Sequence, residues 1–248
     1  MIPRIDLSDL RIITNHFSDT HKIGRGGYGE VYKVLVYKKE EIAVKLLDSA
    51  KEIDDKQFMN ELSNHMKVQH PNIVRLVGYC NEVTSEYIEQ KDGPPVFGKH
   101  IYKVLCFEYM HGTSLDKHLY GNSLGHDWPT HYQIIKGTCE GLCYLHCGCE
   151  RPILHLDLKP ANILLDKRKN PKIADFGLSR IYTTSRTHVK VIGSVSGNYM
   201  APEVRKEGVV SDKADVFSLG VTIIDVIGGS RGLETYHEHG AKKFVEYG

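Results

Sequence analysis

Between Ile153 and Gly177 the chain reads ILHLDLKPANILLDKRKNPKIADFG, and four polar side chains punctuate its apolar runs: Asp157, Lys159, Asn162 and Asp175. The runs Ile163-Leu164-Leu165 and Ile173-Ala174 read as short buried strands. Charged residues at the ends of such strands must face a shared site, because a buried carboxylate without a partner is too costly. Carboxylate and amide oxygens suit Mg²⁺, which prefers hard oxygen ligands and keeps substrate phosphates in its shell. In Asp175-Phe176-Gly177 the glycine would give the carboxylate a flexible hinge.

A second group lies upstream. Ile23 to Tyr32 (IGRGGYGEVY) sets Gly24, Gly26 and Gly29 among β-branched and aromatic residues. Glycine lets backbone N–H groups close on an anion where side chains would block the approach. The same spacing occurs in dinucleotide-binding turns, which lead from a strand into a helix. Here the residues that follow, Val31 to Val36, read as a strand, trailed by a turn at Lys38-Lys39-Glu40. The next strand, Glu41 to Leu47, carries Lys45 among buried-type residues, and a lysine in that setting needs an anionic partner. A helix from Asp54 to Gln69, stopped by Pro71, offers Glu61. The alternative for Glu61 is a solvated helix residue like Glu52 or Asp55.

The elements that must position these groups follow in order. LSDLRIITNHFSD (7–19) reads as a short amphipathic lead-in. Asn72 to Cys80 and Tyr102 to Glu108 read as two more strands, and the polar stretch Ser85 to His100, with Gly93-Pro94-Pro95, as an inserted surface loop. Trp128-Pro129 opens a helix running to His146, with Ile135, Cys139, Leu142 and Cys143 on its core face. Cys139, Cys143, His146, Cys147 and Cys149 admit a zinc reading, against which buried thiols are the simpler one. Ser211 to Gly228 reads as a helix apolar on most faces, hence buried all round. A chain of 248 residues can bury a large core as one domain or two lobes. Its 32 basic and 31 acidic residues give no electrostatic case for nucleic acid or an anionic membrane. No apolar run approaches the ~18 residues of a membrane helix, and MIPRIDLSDL lacks the apolar core of a signal peptide. Six cysteines without such a signal read as free thiols in a reducing cytosol.

Taken with their spacing, these residues resemble the eukaryotic protein kinases, and LRIITNHFSDTHKIGRGGYGEVYK is similar to the plant receptor-like Ser/Thr type. The resemblance implies an α+β, bilobal fold. A lead-in (1–16) would precede an N-lobe (17–107) of five antiparallel strands with one helix, and a mainly helical C-lobe (108–248) would follow. It further implies a transferase that uses ATP and Mg²⁺ to phosphorylate protein Ser or Thr, with a receptor or signalling protein as a further partner. The implied location is the cytoplasm or the cytoplasmic face of the plasma membrane. On this resemblance Asp157 accepts or orients the substrate hydroxyl proton, Lys159 neutralises the γ-phosphate, and Asn162 and Asp175 hold the metal. Nucleotide would lie against Ile23, Gly24, Gly26, Gly29, Val31, Ala43, Lys45, Glu61, Glu108, Met110 and Leu164. Lys45 would hold the α- and β-phosphates and Glu61 would orient it. Phe107-Glu108-Tyr109-Met110 would be the hinge, with Phe107 limiting access behind the adenine. Asp215 would hold the catalytic-loop backbone.

Departures from the family pattern carry their own expectations. The usual Arg before the catalytic Asp is Leu156, as in "non-RD" kinases, and a leucine cannot pair with a phosphorylated activation segment. His65, one turn after Glu61, replaces an apolar residue. Thr183, Thr184, Ser185, Thr187, Ser194 and Ser196 are candidate phosphorylation sites, and Gly193 to Tyr199 alters the family's Gly-Thr-x-Gly-Tyr. The chain stops sooner than family members, which implies an incomplete C-lobe and a rival reading as a pseudokinase or nucleotide-binding scaffold.

Overall fold

The computed structural model describes residues 2–26, 29–37, 40–47, 53–90, 93–120, 127–176, 178–181, 187–188 and 198–244. Two compact units divide the chain: Met1–Lys67 with Arg75–Tyr109, and Val68–Val74 with Met110–Gly248. No helix among the described residues is long and apolar enough to cross a membrane.

The first unit opens with helix α1 (Leu7–Ile13). Asp9 in its first turn and Arg11 in its last complement the helix dipole, and Leu7 and Leu10, three apart on one face, are buried. Five strands follow: β1 (Lys22–Gly26), β2 (Gly29–Tyr37), β3 (Glu40–Leu47), and, after helix α2 (Ile53–His65), β4 (Leu76–Gln90) and β5 (Gly93–Glu108). They form one antiparallel sheet in the order β1-β2-β3-β5-β4. In β3 the period-2 alternation buries Ile42 and Val44. With Tyr32, Val34, Cys80, Val104 and Cys106 they make the core on which Ile5, Leu7 and Leu10 sit.

Two expectations change here. The helix predicted to reach Gln69 ends at His65, where Lys67 N turns back to Asn64 O (3.1 Å) and tightens the last turn. The predicted surface loop Ser85 to His100 is instead a continuous ribbon of β4 and β5, paired from Asn81↔Lys103 to Ile88↔Val96. Gly93, Pro94 and Pro95 lie at the end of the ribbon, where β5 begins, and so break nothing.

The second unit is mainly helical. Its elements include α3 (Leu115–Tyr120), α4 (Trp128–Cys143), the short strands β6 (Ile153–Leu154), β7 (Ile163–Leu165), β8 (Pro171–Ile173), β9 (Arg180–Ile181) and β10 (Thr187–His188), α5 (Pro202–Glu207), β11 (Val209–Val210) and α6 (Asp212–Phe244). Asp127 caps α4, its Oδ1 accepting from Thr130. Beyond Cys143 a wider turn, Tyr144–Gly148, carries the helix on. The buried face of α4 is Ile134, Gly137, Thr138, Gly141 and Leu142, while Ile135 and Cys139 are half-buried and Cys143 is exposed. Glycine explains the difference from the predicted face. A Cβ on Gly137 would lie 2.6 Å from Asn72 Nδ2 and 2.7 Å from Pro171 Cγ, so the helix needs a bare backbone where β8 crosses it. In α6, Ala214, Val221 and Val226 are buried, but Val216 and Ile227 are 49% and 58% exposed, so this helix is not covered all round.

Candidate active site

In the first unit Lys45 pairs across the sheet with Val31 and Leu105. Alternation that sends Ile42 and Val44 into the core turns Lys45 to the other face, and its Nζ donates to Glu61 Oε2 (2.8 Å) and Oε1 (3.1 Å). Glu61 projects from α2 and is 1% exposed, so the pair is desolvated and each charge depends on the other. The solvated alternative for Glu61 is excluded. Next to it His65 stands edge-on to Phe107, with ring centroids 5.1 Å apart. An imidazole thus fills the apolar position as an aromatic would.

The glycine loop occupies the β1–β2 turn, where Gly26 pairs with Gly29. Gly29 has φ +143°, and a Cβ there would lie 2.1 Å from Leu46 O, so no other residue fits. Gly24 faces open space. Ile23 is 43% exposed in β1, whereas Val31 and Ala43 are half-buried in β2 and β3. At the end of β5, Glu108 N donates to Arg75 O (3.0 Å) and the Glu108 carboxylate accepts from Arg75 N (2.8 Å). Tyr109 N donates to Glu41 O (3.1 Å).

The second unit gathers Asp157, Lys159 and Asn162. Lys159 Nζ donates to both Asp157 carboxylate oxygens (2.8 and 3.0 Å). Asn162 Nδ2 donates to Asp157 O (2.8 Å) and Oδ2 (2.9 Å). With its Nδ2 committed, the amide of Asn162 is left with its oxygen to offer. Burial pushes the Asp157 carboxyl above its ordinary range; the Lys159 bonds pull it back, and the nearby Asp175 carboxylate adds to the rise. Ala174 N donates to Asn162 O (2.9 Å), tying the residue before Asp175 to the same loop. Asp175 itself sits at φ +66°. Leu164 is half-buried in β7 and bridges to Ser114, and Met110 is buried. Gly177 and the hydroxyl positions Thr183, Thr184, Ser185, Ser194 and Ser196 lie outside the described residues.

Asp215, at the start of α6, organises this loop. Fully buried, it accepts from the backbone N–H groups of His155 (2.7 Å) and Leu156 (2.7 Å) and bonds His146 Nε2 (2.8 Å). Leu156 is held at φ +65°, a conformation that costs a non-glycine residue about 1–2 kcal/mol. The two bonds from Asp215 offset that strain and set the direction in which Asp157 leaves the chain.

Sequence reasoning missed His155 and His146. His155 Nε2 meets Ala174 O (3.0 Å) while its Nδ1 accepts from Asp157 N (3.3 Å), which fixes the Nε2–H tautomer. Its position two residues before Asp157, with a single apolar residue between them, was the available signal. His146 belonged to the Cys/His cluster; its Nε2 is on Asp215, and Cys143 and Cys147 are exposed rather than buried. All six cysteines are free thiols. Among the described residues no group of three or more His, Cys, Asp or Glu is arranged to hold a metal ion. Asn162 and Asp175 are a two-residue oxygen set, which fits Mg²⁺ because that ion draws its other ligands from water and phosphate.

The family model for the protein kinase domain matches residues 17–246. A G-type lectin S-receptor-like serine/threonine-protein kinase, SD1-13, of Arabidopsis thaliana is 38% identical over 240 residues, covering 96% of this chain and 27% of that protein. Cysteine-rich receptor-like protein kinase 41 of Arabidopsis thaliana is 38% identical over 233 residues, covering 92% of this chain and 32% of its own length. Cysteine-rich receptor-like protein kinase 44 of the same plant is 36% identical over 249 residues, covering 98% of this chain and 61% of its own. The chain therefore spans about a quarter to a third of the first two relatives.

Proposed function

The chain belongs to the protein kinase domain family, and on that premise we propose that it transfers the γ-phosphate of ATP to Ser or Thr hydroxyls of protein substrates in receptor-linked signalling. The observation that carries this reading is the joint presence of a desolvated Lys45–Glu61 pair and an Asp157–Lys159–Asn162 cluster. Phosphoryl transfer asks for positioning and charge neutralisation more than for covalent chemistry, and each group supplies one part.

Lys45, held extended by Glu61, neutralises the α- and β-phosphates. The Gly24, Gly26 and Gly29 backbone closes over them, and Ile23, Val31 and Ala43 are the apolar groups the first unit offers the nucleotide; Met110 and Leu164 are those the second unit offers. Glu108 contributes through its backbone. Asp157 orients the substrate hydroxyl and receives its proton; Lys159, already bonded to that carboxylate, neutralises the γ-phosphate as charge shifts. Asn162 and Asp175 are the residues that would hold Mg²⁺, which when bound screens the negative charge of the phosphates. The Lys two residues after Asp157 supports Ser/Thr rather than Tyr as acceptor, as do the serine/threonine-protein kinases among the relatives.

Transfer of labelled phosphate from ATP to a generic Ser/Thr substrate tests the proposal, with Asp157→Ala as control. Label on Ser or Thr that disappears in the variant supports it. Thermal stabilisation by ATP and Mg²⁺ with no transfer would replace it with the scaffold reading. Absence of both in a folded protein would remove the nucleotide assignment itself.

A further inference from the structure

Past Asn81 and Lys103 the β4–β5 ribbon is held to the rest of its unit, among the described residues, on one face. There Arg11 donates to Glu86 (2.6 Å) and to Tyr102 OH (3.0 Å), Tyr102 OH donates to Glu86 (2.6 Å), and Arg4 pairs with Glu82 (3.5 Å). The residues alternating to the opposite face are Val83, Ser85 and Tyr87, directly paired with Ile101, Lys99 and Phe97. Val83 is 59% exposed, Tyr87 73%, Phe97 62% and Ile101 38%. The Tyr87 and Phe97 rings meet edge to face at 5.3 Å. At about 150–250 Å² for a whole aromatic side chain, these two rings alone leave roughly 250–300 Å² of surface in water. With the two aliphatic residues the strip reaches the size that on other proteins usually marks a contact surface.

The two outer edges of the ribbon are unlike. The β5 side carries Pro94, Pro95, Gly98 and Lys99, the residue types that blunt an edge against strand addition. From Asn81 to Tyr87 the β4 side reads NEVTSEY, without Pro, Gly or Lys. Among the described residues nothing pairs with that edge past Tyr79, which Arg4 bridges.

We propose that this β4 edge pairs antiparallel with the β4 edge of a second copy of the chain, about a two-fold axis at Ser85. In that register Val83 stands opposite Tyr87 of the second copy, a β-branched and aromatic cross-strand pair of the favourable kind. Thr84 stands opposite Glu86 of the second copy. No like charges stand directly opposite, because Glu86 faces Thr84 and Glu82 faces position 88 of the second copy, and both carboxylates already have Arg11 and Arg4 within their own copy. The two apolar strips become one surface across four strands. A foreign strand would have to match this pattern, whereas the segment already matches itself, as a two-fold contact requires. The segment Asn81 to Tyr87 is far shorter than the roughly 20–30 residues a side of a stable complex, so the dimer is weak and reversible.

Sedimentation of the whole chain over about 10 µM to 1 mM, a range suited to small interfaces, reads the association directly. Ser85→Lys and Ser85→Glu each put two like charges face to face on the axis and should weaken self-association by about fivefold or more. An equimolar mixture of the two variants should associate at least as well as wild type, because the charges now oppose. Ser85 is exposed and outside the candidate active site, so the variants' melting temperatures should match wild type. Wild type that stays monomeric throughout, Ser85→Lys that associates like wild type, or a mixture no tighter than the single variants would each overturn the proposal.

Discussion

The Asp215→Asn substitution keeps the side chain's shape and removes half of its accepting capacity. Three donors converge on the carboxylate: His155 N and Leu156 N at 2.7 Å and His146 Nε2 at 2.8 Å. The amide offers one oxygen, and its NH₂ must face a donor. One charge-assisted bond lost is worth about 1.5–3 kcal/mol, and a buried donor left without an acceptor about 1–3 kcal/mol more. Release of the Leu156 backbone from φ +65° returns about 1–2 kcal/mol. The net loss is then about 1–5 kcal/mol, or a melting temperature lower by roughly 2–20 °C for a chain of this size. That same release turns Asp157, so phosphotransfer measured well below the melting range should fall further than the folded fraction does. His146→Ala, which spares both backbone bonds, should cost less on both counts. If Asp215→Asn melts within about 1 °C of wild type and keeps its activity, the backbone is held by something else and this account of the loop fails.

Three other outcomes follow from the same geometry. Glu61→Ala strands Lys45 on a desolvated sheet face and should destabilise the fold by about 3–5 kcal/mol, read by urea denaturation; Lys45 and Glu61 replaced together should lose less. Gly137→Ala forces a Cβ into Asn72 and Pro171 and should cost about 1–3 kcal/mol without altering nucleotide affinity by calorimetry. The raised Asp157 carboxyl binds more protons folded than unfolded, so its contribution to stability is greatest below the ordinary carboxylate range and is lost as pH rises through its raised value. Asp157→Asn should therefore gain stability relative to wild type as pH rises across that window, in denaturation curves taken from acid to neutral pH.

What the sequence revealed tracks where chemistry is written in residue type. Lys45, Asp157, Lys159 and Asn162 are polar groups among apolar residues, so the chain's residue order alone declares their need for partners; Glu61, between Asn60 and Leu62-Ser63-Asn64, was legible only as the partner Lys45 requires. The α4 face was not legible in this way, because Gly137 and Gly141 are buried for what they lack, and a pattern based on apolar side chains passes over them. The β4–β5 ribbon was hidden for a related reason. Its supported face is built from Arg11, Glu86 and Tyr102 rather than from an apolar row, so Ser85 to His100 read as loop. α1 carried its signal in Leu7 and Leu10, but only the structure shows that these residues complete the core of the sheet.

Leu156 joins the loop to the rest of its unit in a way that bears on regulation. At the position where the resemblance to protein kinases leads one to expect an arginine, this side chain packs on the cluster of Leu154, Ala201, Val204, Val210 and Ala214, as Met200 and Phe217 do. Ala201 and Val204 flank the start of α5, so an apolar contact already links the residue before Asp157 to that helix. No phosphate is needed to make it. Phosphatase treatment should leave most phosphotransfer activity in place, whereas Leu156→Ala, which removes most of a half-buried side chain, should lower stability by about 1–2 kcal/mol and reduce kcat. Leu156→Arg should not substitute, because it drives a guanidinium against the apolar side chains of Leu154, Ala201, Val204, Val210 and Ala214. A roughly hundredfold loss of activity on dephosphorylation, equivalent to about 2.7 kcal/mol, is the size of one or two charge-assisted bonds. That result would mean a basic residue elsewhere grips the segment, and the apolar contact of Leu156 would be packing without consequence for activation.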